Sequence, residues 1–212
     1  MMWGRKKPPV QQPAEPEATA QPAGPVEVEG PRAHGPFDSS ERPATEEYVD
    51  LGSVRLKMRP DIEVQLPAEN DVISAVLVTA EGSAIELRPF AGNRSGGTWG
   101  SVREELRTEV ERRGGQWQEV EGTYGTELLA RFPATAEDGS EAVQPARFIG
   151  VEGPRWVLRA TVLGAAGLES TTEGVLMEVL RDTVVVRGDE PRMLRETLPL
   201  TIPPDAQPVA DA

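Results

Sequence analysis

The sequence predicts an α+β domain: a mostly antiparallel sheet with two helices packed on it, in the order ββββαββββα, followed by a C-terminal extended arm. Three observations carry this. The run Arg155 to Leu163 alternates at period two, with Trp156, Leu158, Ala160 and Val162 on one face and Arg155, Val157, Arg159, Thr161 and Leu163 on the other. Trp99, Val102, Leu106 and Val110 form a narrow stripe at helical spacing, and Val175, Leu176, Val179, Leu180 and Val184 form a wider one. Between these lie short apolar runs bounded by turn residues, which is how antiparallel strands read.

Residues 1–47 hold close to half of the twenty prolines and almost no large apolar side chains. Such a segment buries too little surface to offset its ordering entropy, so it reads as a disordered tail. The domain spans 48–203, and 204–212 form a second disordered tail. Val54, Leu56 and Met58 alternate with Arg55 and Lys57, and Arg59-Pro60-Asp61 turns the chain into Ile62, Val64 and Leu66, a hairpin. Val72 to Val78 is apolar on both faces and reads as an interior strand. Ala80 to Ser83 turns it into Ile85 to Arg88, and Pro89 ends that strand or places it at an edge.

The first helix is expected from Trp99 to Arg113, capped by Thr98 and ended by Gly114-Gly115. Residues 116–120 and 126–132 suit strands, separated by a polar loop at 133–144 from the pairing of Arg147–Val151 with the Trp156 strand. Ser170 and Glu173 have capping-box spacing, so the second helix starts there and continues through Val184 to a stop at Gly188. Leu198, Leu200 and Ile202 alternate with Thr197, Pro199 and Thr201, a short edge strand or an arm lying on the sheet. Both helices are expected on one face of the sheet.

Composition bounds the function. At 212 residues with 38% hydrophobic content the chain can bury one core. It has no run of eighteen apolar residues to span a membrane. Met1 to Lys7 begins like a signal peptide, but Pro8-Pro9 and polar residues stand where its apolar stretch belongs, so a cytoplasmic chain is expected. The net charge of −13 disfavours nonspecific binding to nucleic acid. The absence of cysteine removes disulfides, thiolate metal sites and thiol nucleophiles, and the sole histidine, His34, falls in the tail. No catalytic residue, metal or cofactor is expected.

Two constellations remain. A glycine-rich loop from Gly92 to Thr98, between a strand and a helix, exposes backbone amides that suit an anion; Gly96, Gly97 and Thr98 would hold it, with Arg88 and Arg94 supplying charge. It lacks the lysine of a phosphate-binding P-loop. Arg147, Arg155, Arg159 and Arg187 form a second candidate, a basic patch for an acidic partner or a phosphate, with Arg155 and Arg159 roughly 13 Å apart on one strand face. Trp156, whose face-mates are all apolar, is assigned to the core.

The runs Val151-Glu152-Gly153-Pro154-Arg155-Trp156-Val157-Leu158-Arg159 and Val184-Val185-Val186-Arg187-Gly188-Asp189-Glu190-Pro191, with the ending Leu198-Pro199-Leu200, resemble an actinobacterial family known as domain of unknown function 3710. The resemblance covers about residues 48 to 203 and implies a bacterial cytoplasmic protein, without implying an activity. The functional expectation is a non-enzymatic interaction or regulatory module that binds another protein. The alternative is a small-molecule or nucleotide-phosphate binder, possibly an enzyme, working through the Gly92–Thr98 loop.

Overall fold

The computed structural model describes residues 30–203 except 71, 137 and 169–172. In chain order the first strands are β1 (Phe37–Asp38), β2 (Tyr48–Asp50), β3 (Val54–Lys57), β4 (Glu63–Gln65), β5 (Ala68–Glu69), β6 (Val72–Ile73), β7 (Val76–Ala80) and β8 (Ser83–Ala91). Helix α1 (Thr98–Arg112) leads into β9 (Gln116–Gly122), β10 (Gly125–Thr135), β11 (Glu141–Gly153) and β12 (Trp156–Leu163). Helix α2 (Val175–Asp182) and β13 (Val184–Val185) follow.

The class is α+β with mostly antiparallel strands, and the strand order is more elaborate than the sequence suggested. A seven-stranded antiparallel sheet runs β4-β7-β8-β12-β11-β10-β9, and a smaller sheet runs β1-β13-β3-β2. Its one parallel pairing joins β1 to β13. Strand β12 sits inside the large sheet between β8 and β11, and its side chains are buried on both faces. Its two alternating sets of side chains enter two different cores. Trp156, Leu158, Ala160 and Val162 pack with Ile85 and Leu87 of β8, with Val54, Leu56 and Val185 of the small sheet, and with Leu176, Val179 and Leu180 of α2. Val157 packs on the other face with Leu128, Phe132 and Phe148, beneath Trp99 and Val110 of α1. The helices therefore lie on opposite faces, correcting the expectation of one: an interior strand with apolar residues at both phases needs a cover on each side.

Several local expectations change for the same non-local reason. The residues read as a hairpin separate: β3 pairs with β2 and β13 in the small sheet, while β4 pairs with β7 in the large one. Arg59–Asp61 is the passage between sheets, not a hairpin turn. The apolar run 72–78 splits into β6 and β7. The span read as a polar loop at 133–144 is mostly strand, since β10 and β11 stay paired out to Thr135 and Glu141. Helix α2 ends at Asp182, Thr183 turns extended at ψ 136°, and Val184-Val185 joins the small sheet instead of continuing the helix. β-Branched valines prefer that conformation. The expected start at Ser170 lies outside the described residues.

The segment 30–47, read as tail, carries real structure. Phe37 and Asp38 are buried in β1, and Asp38 Oδ2 accepts the indole N–H of Trp156 at 2.7 Å. Arg32 lies 5.3 Å over the Trp156 ring and pairs with Glu41. One aromatic and one carboxylate suffice because each meets a partner far away in sequence. The C-terminal arm behaves as expected and stitches the sheets together. Leu198 N–H donates to Pro89 O, and Thr201 N–H donates to Leu51 O. Pro89 is tolerated within β8 because its ladder position faces this arm, beyond the end of β7, where an edge residue can lack a donor.

Candidate functional site

The glycine loop was the sharper of the two sequence candidates, and the chain satisfies it internally. Gly92 N–H donates to Arg155 O at 2.8 Å, and a Cβ there would stand 2.7 Å from the Trp156 backbone, so the close approach requires glycine. At the start of α1, Glu152 from β11 extends its carboxylate to the helix amides: Gly97 N–H donates to Oε2 at 2.9 Å and Trp99 N–H to Oε1 at 2.8 Å. An N-terminal helix turn favours an anion there, and this one is covalently part of the fold. Thr98 does not cap the helix; its hydroxyl accepts from Asn93 N–H at 2.9 Å. Gly96 and Gly97 thus come together with Trp99 around Glu152, while Thr98 serves the loop. Arg94 is exposed in the loop, and Arg88 is bound to Glu86 by two contacts of 2.8 and 3.1 Å, so the two arginines do not join them.

The four arginines of the second candidate do not form one patch. Arg147 points into the core with Glu127, each about 1% exposed, with contacts of 2.6 and 3.0 Å from two guanidinium nitrogens to the two carboxylate oxygens. Arg155 occupies the β11–β12 turn at φ 61°, not the strand. It meets Arg187 there: Arg187 Nε–H donates to Arg155 O at 3.1 Å, and both guanidinium groups reach Gly188 O. Burial first, then Arg155 and Arg192 nearby, lowers the pKa of Arg187. Arg159 lies on the α1 face of β12 and reaches Glu86 Oε1 at 3.3 Å. Burial raises the Glu86 carboxyl, but the bonds and charge of Arg88 and Arg159 outweigh it and hold the group below the usual carboxylate range.

Among the described residues, no carboxylate or tyrosine with a shifted value is moved toward neutral pH; of the shifted cationic groups only the Arg159 and Arg187 guanidinium groups are lowered, chiefly by burial. Tyr124 is pushed up to about 12, chiefly by burial. Among the described residues no group of three or more His, Asp or Glu side chains is placed to hold a metal ion.

A third feature was not singled out from the sequence. Strand β9 ends the large sheet, with seven residues paired on one side only among the described residues. The opposite edge, β4, has three. Helix α1 braces β9 from one face: Arg103 and Arg107 pair with Glu119 at 2.7 and 3.3 Å, and the Trp117 indole N–H donates to Glu111 at 2.9 Å. Along the opposite face a groove of about 250 Å³ runs beside β9, lined by Gln116, Gln118, Leu129, Pro145 and Leu168. Leu168 and Trp117 are partly exposed at its rim. The sequence signal was present in the alternation of Gln116, Gln118 and Val120 with Trp117, Glu119 and Glu121, but alternation does not reveal which strand ends a sheet.

The chain belongs to the family described as protein of unknown function (DUF3710), which it matches over residues 35–208. No curated protein matches it. Among solved structures, a crystal structure from Bacteroides thetaiotaomicron VPI-5482 at 1.50 Å resolution is similar at a TM-score of 0.38 and 13% identity. The likeness covers 63% of this chain and 45% of that one, so the chain spans less than half of that protein's length.

Proposed function

We propose that this domain is a non-enzymatic, cytoplasmic interaction module that binds another protein by strand addition at β9. The observation that carries it is the open seven-residue edge with a groove alongside, in which Leu129, Pro145 and Leu168 stand among the polar side chains of Gln116, Gln118 and Arg131. An added strand takes affinity from main-chain hydrogen bonds and specificity from pockets that receive alternate side chains. Long edges are ordinarily blunted by proline, bulges or covering loops; β9 contains no proline and is tied to α1 through Arg103 and Glu119. The partner segment is extended and basic, with an apolar side chain for the groove, because a chain of net charge −13 attracts it. The phosphate-binding alternative has less support, since a ligand at Gly97 and Trp99 would have to displace Glu152.

A photo-crosslinking residue placed at Gln118 tests this in host cells, with the same residue at Glu63 as control. The expected result is one discrete heterologous adduct from position 118, none from 63, and its loss on Leu168→Arg. Equal labelling from both edges, no adduct, or only a cross-linked dimer of this chain overturns the proposal.

A further inference from the structure

Between α1 and the large sheet lies a second cleft, of about 340 Å³, with Leu106, Val110, Phe132 and Phe148 among its walls and Arg159 and Thr161 at its floor. Two buried side-chain atoms among the described residues have no hydrogen-bond partner, Arg159 Nε and Thr161 Oγ1. Thr161 is 6% exposed. Both belong to this one cleft. Buried polar groups are nearly always paired, so two orphans at one cavity call for a partner that the chain itself does not supply.

The charge balance points the same way. Arg88 and Arg159 share the single carboxylate of Glu86, which leaves one cationic charge in excess within an acidic protein. Thr161 is register partner to Glu86, and Arg159 to Arg88, so the four side chains share one face of adjacent strands. Above them the walls are mostly aromatic and aliphatic, with exposed Arg113 and Gln144 also lining the cleft, Arg113 4.2 Å over the Phe132 ring, and Glu109 held by Arg112. A site with a cationic excess at its floor, a guanidinium N–H and a hydroxyl without partners, and mostly apolar walls suits a small anion with an apolar body.

We propose that this cleft binds a small monocarboxylic acid whose carboxylate accepts from Arg159 Nε–H and the Thr161 hydroxyl while its apolar body lies against Phe132 and Phe148. Both atoms are sealed from solvent in the empty cleft, so the Thr161 hydroxyl turns about χ1 and the Arg159 side chain shifts to meet the ligand. The volume holds an acyl or aryl group of about ten heavy atoms, near the lower end of small-molecule sites. This site stands on the face opposite the groove beside β9 and does not depend on that reading.

Octanoate is the probe, titrated calorimetrically into the full chain at low salt, with 1-octanol and octyl phosphate alongside. Octanoate is expected to bind and to raise the melting temperature, to weaken with added salt, and to bind more tightly than either comparator. Thr161→Val keeps the shape, removes an unpaired hydroxyl and so folds at least as stably; in it octanoate affinity falls about tenfold or more, the loss of a hydrogen bond to a charged group. Absence of heat and of any melting shift with millimolar octanoate overturns the proposal. Equal binding of 1-octanol, or an affinity unchanged in Thr161→Val, overturns it too.

Discussion

Arg147 and Arg159 stand on neighbouring strands of one sheet and face opposite sides of it. On the α2 side, Arg147 meets Glu127 through two nitrogens and two oxygens, at 2.6 and 3.0 Å, in a region closed to water. On the α1 side, Arg159 takes one 3.3 Å share of a carboxylate already held by Arg88, and its Nε has no partner among the described residues. Both are arginines flanked by apolar neighbours. What separates them is stoichiometry: one cation per carboxylate closes a core, whereas two per carboxylate leave bonding capacity over. The first arrangement holds structure together, and the second is available to something else.

The comparison can be broken most directly at Arg147. Arg147→Met takes from the buried Glu127 carboxylate its two bonds to Arg147 and is expected to cost about 3–5 kcal/mol, while the double change with Glu127→Leu recovers most of the loss. Urea denaturation at neutral pH measures both; a single variant within about 1 kcal/mol of the parent would mean that water reaches the pair. Arg159→Met is expected to cost under about 1 kcal/mol, because Glu86 keeps Arg88 and the orphan nitrogen disappears. A loss as large as that at Arg147 would remove the distinction between the two sides.

The smallest effect is the pH response of Glu86. Its folded pKa lies below the ordinary value, so the unfolded chain binds the proton more readily and the folded state gains stability above it. That contribution is complete above about pH 4.3, the ordinary glutamate value, and is lost as pH falls through the lower folded value. Thermal melts across this acidic range should therefore fall less steeply for Glu86→Gln than for the parent. Parallel curves would show that the two arginines leave Glu86 untouched.

Much of the frame was legible because it is written in local periodicity. The apolar phase of Trp156, Leu158, Ala160 and Val162, the α1 stripe and the arm at Leu198 and Leu200 all declare a buried face within a few residues. What stayed hidden depends on partners distant in sequence. Nothing near Thr98 reveals that Glu152 caps the helix, and the helix could equally have used its own threonine. The burial of Arg147 follows from the β10–β11 register that sets it opposite Leu129, one pair along from Leu128 and Phe148. The orphaned state of Thr161 depends on what α1 fails to reach. Phe37 and Asp38 looked like tail because a two-residue strand has no period.

That short strand constrains how the protein is made. A ribosome releases the chain from its N-terminus, so Phe37 and Asp38 emerge early, yet their neighbours in the sheet are Val184 and Val185, among the last residues of the domain to appear. The Trp156 indole that Asp38 accepts from also arrives late. Vectorial synthesis can assemble the hairpins of the large sheet and the β2–β3 pair as they emerge, but the β13 pairings that complete the small sheet have to wait, since pairings distant in sequence carry the greatest loop-closure cost and form slowly. Until then the first strand is an unpaired end accessible to chaperones and proteases. The domain closes only when its beginning and its end are both outside the exit tunnel, so a nascent chain stalled before Val184 cannot complete the fold.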